Sequence, residues 1–235
     1  MVSEIKRPSG RKSDELREMY AKVGVVKRAN GSALFKIGKT IAIAAVYGPR
    51  ELYPSFLQSE ARGVLRCDYN MMAFSGSGDR VRPGGNRRSK EISLVTEKAL
   101  LPMLDLSAYP NTVVDVYIEL IQTDAGTRCA GITAAAMALA DAGIPMKDLV
   151  TAVSVGKAGG NLIVDLDYLE DSAKPGVDIP MAMSTRTGQI TLLQMDGELT
   201  KEELIKAIEL GKKACVKIKE LQVKALLEKF TEGKK

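Results

Sequence analysis

The 235-residue chain contains no histidine and no tryptophan. Lack of histidine excludes Ser–His–Asp and Cys–His catalysis, the usual zinc sites and any imidazole acid or base. Proton chemistry would then fall to carboxylates, lysine, tyrosine or bound water, and a metal would be a hard ion such as Mg²⁺ on oxygen ligands. Aromatic residues make up only 5% of the chain, which argues against large stacking platforms. Cysteine is scarce as well. Cys67, Cys129 and Cys215 are odd in number and far apart, which suits reduced thiols in a cytosol and not a disulfide framework or a CxxC zinc site. No apolar run reaches the roughly 18 residues of a membrane span; the longest candidate, residues 134–140, is cut by Asp141. The charged start (Glu4, Lys6, Arg7) has no apolar stretch behind it, unlike a secretory signal. A cytoplasmic protein without a membrane partner is expected.

What is present suits a folded domain. Hydrophobic residues are 45% and charged residues 27%, enough for a sizeable core. The net charge of +5 points weakly to an anionic partner. Short apolar or β-branched runs at 23–28, 33–37 and 40–47, separated by Asn30-Gly31 and Gly38-Lys39, predict an antiparallel meander, with a fourth strand over 63–70. Ser89 is the predicted cap of a helix with Ile92, Val95 and Ala99 on one face. Residues 112–122 alternate as a half-buried strand. A small-residue helix is predicted over 128–142, stopping at Gly143. Strands at 150–155, 162–166, 180–184 and 190–195 follow. A Thr200–Glu203 capping box then opens a last helix with Leu204, Ile208, Cys215, Ile218 and Leu221 as its apolar stripe. This order predicts an α+β sandwich of sheets and helices in one domain over 1–235, with 1–20 an N-terminal extension and 199–235 a C-terminal helix and tail.

Three segments carry chemistry. Arg80, Arg82, Pro83, Gly84, Gly85, Asn86, Arg87 and Arg88 place guanidinium forks before a helix start, a combination suited to phosphate oxygens; alone, such a stretch also reads as a solvated basic loop. Asp124-Ala125-Gly126-Thr127-Arg128 sits where a strand hands over to a helix. Gly126 frees the backbone, helical N–H groups point outward, and Thr127 and Arg128 add a hydroxyl and a fork, as in an anion site; an ordinary capped turn is the alternative. Asp165, Asp167, Glu170, Asp171 and Asp178 put five carboxylates in fourteen positions. They would repel unless a cation, arginines or a shared proton relieve them. They form either a hard-metal or acid–base cluster or, more simply on composition, an exposed acidic loop. Two anion-binding elements and one carboxylate element together suit phosphoryl chemistry.

Six ordered blocks carry a resemblance: RPSGRKSDELR, IAIAAVYGPRE, RRSKEIS, QTDAGTRCAGITAAAMALADAGIPM, VDLDYLEDS and LLQMDGELTKEEL. Over roughly residues 6–230 the chain resembles the RNase PH family, most of all its archaeal exosome branch of catalytic subunits. The resemblance implies the RNase PH fold, with a βαβα core like domain 2 of ribosomal protein S5 and sheets and helices in layers. It implies phosphorolysis, in which inorganic phosphate as co-substrate attacks the last 3′ phosphodiester of single-stranded RNA and releases a nucleoside diphosphate, reversibly. It also implies a six-membered ring of three heterodimers, each with a non-catalytic RNase PH-type sister subunit, and RNA-binding cap subunits as further partners.

Carried over by motif, Gly126, Thr127, Arg128 and Arg88 would hold the phosphate, and Arg87 would meet the RNA backbone or the same phosphate. Asp171 and Asp178 would be catalytic, one as general acid to the departing 3′ oxygen or as a Mg²⁺ ligand. Tyr69 would stack on a 3′-terminal base. The chain departs from the family pattern in places. Asp171 and Asp178 are seven apart where six is usual, Tyr53-Pro54-Ser55 replaces a basic stretch along the RNA path, and Ser9 replaces an acidic residue. Two other readings remain open at this point. One is a bacterial-type homohexamer trimming tRNA 3′ ends; the other is a non-catalytic ring subunit that only binds RNA.

Overall fold

The structure, a computed structural model, describes residue 7 and residues 9–76, 85–173 and 176–232. Of the basic loop singled out above, Arg80, Arg82, Pro83 and Gly84 lie outside the described residues, as do Lys174 and Pro175 between the two acidic positions.

The first sheet is built from β1 (Met19–Val23), β2 (Gly31–Ile37), β3 (Thr40–Glu51), β4 (Val64–Met71) and β5 (Thr112–Gln122), in the order β1-β2-β3-β5-β4. All neighbours are antiparallel except β4 and β5, which run parallel. The second sheet contains β6 (Val150–Ala158), β7 (Asn161–Val164), β8 (Val177–Ser184) and β9 (Ile190–Leu193), in the order β7-β6-β8-β9. Four helices accompany them: α1 (Arg87–Leu100), α2 (Thr127–Asp141), the single-turn α3 (Tyr168–Asp171) and α4 (Lys201–Glu232). The expected meander is therefore present, with its first strand displaced. Residues 24–28 form a turn, and β1 precedes them because Ala21 and Val23 place their side chains in the core opposite Phe35 and Ala33.

Alternation on β3 sends Ala42, Ala44 and Val46 inward, where β5 supplies Val114, Val116, Ile118 and Leu120. Against this face lies α2, with twelve of its fifteen residues buried. A helix apolar all round must be covered on every side. Here the first sheet packs on one side, and β6, β8 and α4 pack on the other. Alanine at positions 134, 135, 136 and 138 permits this close approach. The tightest point is Gly31 on β2, where a Cβ would lie 2.2 Å from Ala142 N and 2.4 Å from Ala138 O. On α4 the inward stripe is Ala207, Gly211, Ala214, Cys215, Ile218, Gln222 and Ala225. Leu204, Ile208 and Leu221, expected on that stripe, are only partly buried at its flank. Small residues occupy the centre because α4 approaches Met181 of β8 within side-chain contact at Gly211.

Candidate active site

Parallel β4 and β5 end together, and their carboxyl ends are the natural place for a crevice opening onto helix N-termini. The chain leaves β5 through Thr123 and turns sharply, with Ala125 at φ 56° and Gly126 at φ 63°, before α2 begins at Thr127. A left-handed conformation is costly for alanine and natural for glycine. The turn is held from outside: Thr40 Oγ1 donates to Ala125 O (2.8 Å) and accepts from Asp124 N (2.9 Å). No side chain caps α2, so its first N–H groups are free to meet an anion. α1 differs in this respect. Asn86, and not Ser89, is its cap; Asn86 Oδ1 accepts from Ser89 N at 2.8 Å, and Ser89 Oγ accepts from Asn86 N at 2.9 Å. The expected capping residue is the reciprocal partner, three positions into the capping box.

A cavity of about 360 Å³ opens at this junction. Arg88, Gly126, Thr127, Arg128, Asp171 and Asp178 all line it, together with Asn86, Ser154 and Tyr168. Six residues drawn from α1, the turn into α2, α2 itself, α3 and β8 are thus gathered on one hollow, and the seven-residue interval does not separate Asp171 from Asp178. Arg87 is exposed on the first turn of α1 and is not part of the wall. Tyr69 is corrected by the structure. It is 1% exposed, with its ring packed beside Gly131 of α2, and presents no face to a base. Alternation along β4 turns position 69 inward, between outward Asp68 and Asn70.

The five carboxylates divide into two groups. Arg7 grips Glu170 with two hydrogen bonds of 2.7 Å, and Arg17 grips Asp165 through Nε (2.9 Å) and Nη2 (2.6 Å). Arg11 lies between them, 3.3 Å from Glu170 and 3.6 Å from Asp167. Asp165 and Glu170 are 2% exposed, so they form no solvated acidic loop. Arg17 also donates to Asp124 O, and Asp124 Oδ1 accepts from Tyr168 N at 3.3 Å, which ties the turn before α2 to the start of α3. Burial works against ionisation of Glu170, but hydrogen bonds from Arg7 and from the Asp167 N–H outweigh it and hold the carboxyl below its ordinary range.

Asp171 and Asp178 have no such clamp. Burial pushes Asp171 up, Asp196 adds to this, and Arg88 and Arg128 oppose it. Burial also pushes Asp178 up; a hydrogen bond from Ser154 Oγ opposes this, while Asp171 and Asp196 reinforce it. Asp196 is brought there by β-type pairing, with Asp178 N donating to Asp196 O (3.0 Å) and the reverse bond at 2.9 Å. Two carboxyls able to hold a proton above their usual range therefore face amides and guanidiniums across one cavity. Such an arrangement is suited to general-acid chemistry on an anionic substrate.

Residues 15–145 match the 3′ exoribonuclease family, domain 1, and residues 148–214 match domain 2 of the same family. The chain belongs to the RNase PH family of 3′ exoribonucleases. Exosome complex component Rrp41 of Pyrococcus furiosus is 52% identical over 225 residues, covering 96% of this chain and 89% of that protein. The Rrp41 of Methanopyrus kandleri is 49% identical over 224 residues, covering 95% and 93%. Among solved structures, rice Rrp46 has the same RNase PH fold with a TM-score of 0.83 at 24% identity, covering 94% of this chain and 100% of that one. A chain of the Archaeoglobus fulgidus exosome with RNA bound to the active site gives 0.77 at 23%, covering 92% of each. The α+β architecture expected from the order of elements is thus the RNase PH fold.

Sequence reasoning missed Ser154, Gln194, Asp196 and Glu91. Ser154 reads as an ordinary strand residue, and its position opposite Pro180 on β8 is what brings it to Asp178. Gln194 and Asp196 lie in the LLQMDG block, which supported the resemblance without suggesting a role. Asp178 reaches this wall by register alone, paired with Gly156. A Cβ at Gly156 would strike Val177 O at 2.0 Å, so no other residue fits there without moving β8.

Proposed function

We propose that this RNase PH-family chain is the phosphorolytic subunit of an archaeal exosome ring, working in the cytoplasm on single-stranded RNA. The observation that carries the reading is the gathering of the carboxyl pair Asp171 and Asp178, both raised by burial, on one cavity with the uncapped start of α2, Thr127, Arg128 and Arg88. Inorganic phosphate sits on that wall. One of its oxygens attacks the phosphorus of the last 3′ phosphodiester, and the bond from that phosphorus to the 3′ oxygen of the preceding nucleotide breaks. The protonated carboxyl of the Asp171–Asp178 pair gives its proton to that oxygen, leaving a shortened RNA with a 3′ hydroxyl and a nucleoside diphosphate. One phosphoryl ester is exchanged for a diphosphate, so the reaction also runs in reverse as 3′ tailing.

Arg87, exposed beside the cavity, meets the RNA backbone. The partners are a non-catalytic RNase PH-type sister subunit in a ring of three heterodimers and RNA-binding cap subunits, consistent with the names of the Rrp41 relatives. The one-domain reading of residues 1–235 is supported by a single buried cluster that joins both sheets through α2 among the described residues. Among the described residues no group of three or more Asp, Glu, Cys or His side chains is arranged to hold a metal. The two carboxylates and Ser154 Oγ are all oxygen donors. That set fits Mg²⁺, which keeps several waters and takes its remaining ligands from substrate phosphates. When bound by Asp171 and Asp178, the ion would screen the negative charge of the reacting phosphates.

The test is to incubate the chain, with and without a sister subunit, with a 3′-tailed single-stranded RNA and to identify the released nucleotide. Phosphate-dependent diphosphates from the mixed complex are expected. Monophosphates, or release independent of phosphate, would refute phosphorolysis. Activity of the chain alone would favour a homomeric ring.

A further inference from the structure

Arg128 does not project freely into the cavity. One of its guanidinium N–H groups donates to the Gln194 side-chain oxygen, and the same nitrogen lies 3.4 Å from Glu91 Oε1. Gln194 Nε2 donates in turn to that Glu91 oxygen at 3.1 Å. The three groups therefore form a closed triangle. Gln194 follows β9, where its own N–H donates to Pro180 O at 3.1 Å, while Glu91 stands on α1 and Arg128 opens α2. Two helices that wall the cavity and the end of β9 thus meet at one guanidinium. Neither Gln194 nor Glu91 lines the cavity itself.

The chemistry of the triangle is specific. A glutamine amide is the uncharged counterpart of a carboxylate. It fixes a guanidinium through an acceptor oxygen without cancelling its charge, so the remaining N–H groups still face an anion with a full positive charge behind them. A glutamate in the same place would neutralise the arginine and repel the incoming phosphate. Glu91 is the only carboxylate within ion-pairing distance of Arg128 among the described residues, and it is held at the longer distance on an exposed helix face. It competes weakly with a ligand for the same guanidinium.

We infer that Gln194 is a positioning residue that aims Arg128 into the cavity, and that Glu91 sets how tightly Arg128 takes the phosphoryl anion. The inference rests on the phosphorolytic reading above. It extends to both directions of the reaction: inorganic phosphate in degradation and the terminal phosphate of a nucleoside diphosphate in tailing occupy the same place.

Steady-state kinetics of the assembled complex, with inorganic phosphate as the varied substrate, tests it. Gln194→Glu should raise KM for phosphate about tenfold, and KM for the nucleoside diphosphate in tailing alike, while KM for RNA stays within about twofold. Glu91→Gln should lower KM for phosphate about threefold. The double variant, which carries the wild-type total charge around Arg128, should return close to the wild-type value. A merely structural role for Gln194 would not produce that recovery. An unchanged phosphate KM in Gln194→Glu, or a double variant no better than the single one, would overturn the inference. Should thermal melting show that Gln194→Glu does not fold, Glu91→Gln decides alone, and an unaltered KM there rejects the role of Glu91 and the triangle with it. A wild-type complex that makes no diphosphate condemns the phosphorolytic reading itself, whereas a normal wild type with indifferent variants condemns only the triangle.

Discussion

Asp165, Asp167 and Glu170 lie within seven positions of Asp171, yet the structure treats them in opposite ways. The first three are gripped by Arg7, Arg11 and Arg17, arginines that stand about 150 residues away in sequence. Asp171, and Asp178 beyond it, are left facing one another and Asp196, with arginines in view but none paired to them. Compensated charges tie distant segments of the scaffold together, and the uncompensated ones have their pKa values raised by burial. A buried carboxylate can be held by an arginine or poised to exchange a proton, and one short stretch of chain contains both kinds.

Breaking the uncompensated side should have the largest effect. Asp171→Asn and Asp178→Asn should each lower single-turnover release of nucleoside diphosphate by about 10²–10⁴-fold, the usual worth of a positioned acid, while RNA binding in a filter assay is retained. Asp178→Asn should at the same time raise the melting temperature by roughly 2–4 °C, because a buried, mutually repelled carboxylate is removed. Unchanged turnover in both variants would exclude them as the source of the proton.

Breaking the compensated side should damage the fold first. Arg17→Ala leaves Asp165 buried with only Arg11, 3.5 Å away, as a charged partner and should cost about 3–5 kcal/mol in urea unfolding. Arg17→Lys should recover only part of this, since a lysine cannot make the paired bonds to both carboxylate oxygens. A loss under about 1 kcal/mol would mean that the ion network contributes no more than an exposed surface pair.

The finest test is pH. The folded pKa of Glu170 lies below its unfolded value, so its contribution to stability is complete above the unfolded value and is lost as pH falls through the folded one. The folded pKa of Asp178 lies above its unfolded value. Its favourable contribution is present in acid and disappears as pH rises through the folded value. Urea midpoints measured from about pH 3 to 7 should therefore diverge. Glu170→Gln should be less stable than wild type at neutrality and lose that deficit in acid, whereas the advantage of Asp178→Asn should fade in acid. Parallel curves would show that the two carboxyls share one environment.

Much of this arrangement is legible in the sequence. The alternation of residues 112–122 gives β5 to the residue, because a half-buried strand writes its two faces into consecutive positions. The turn at Gly126 is equally local, since only its own backbone decides it. What stayed hidden depends on partners remote in sequence. Arginine relief of the acidic cluster was one of three alternatives, and nothing near Asp165 says that Arg17 would supply it. The resemblance gives Tyr69 a base to stack on, and an aromatic in a strand does not announce which face is covered. By type, Ser89, three positions on, is as good a capping residue as Asn86, so local sequence does not choose between them.

The contact at Gly31 gives α2 a fixed seat. A fifteen-residue helix is a rod about 22 Å long; one end abuts β2 with no room for a methyl group, and the other presents the amides of Thr127 and Arg128 to the cavity. Ala138 O and Ala142 N, themselves hydrogen-bonded at 2.9 Å, lie on the flank of that rod, so the glycine is a notch in the sheet that fixes how closely the last turn of α2 beds against β2.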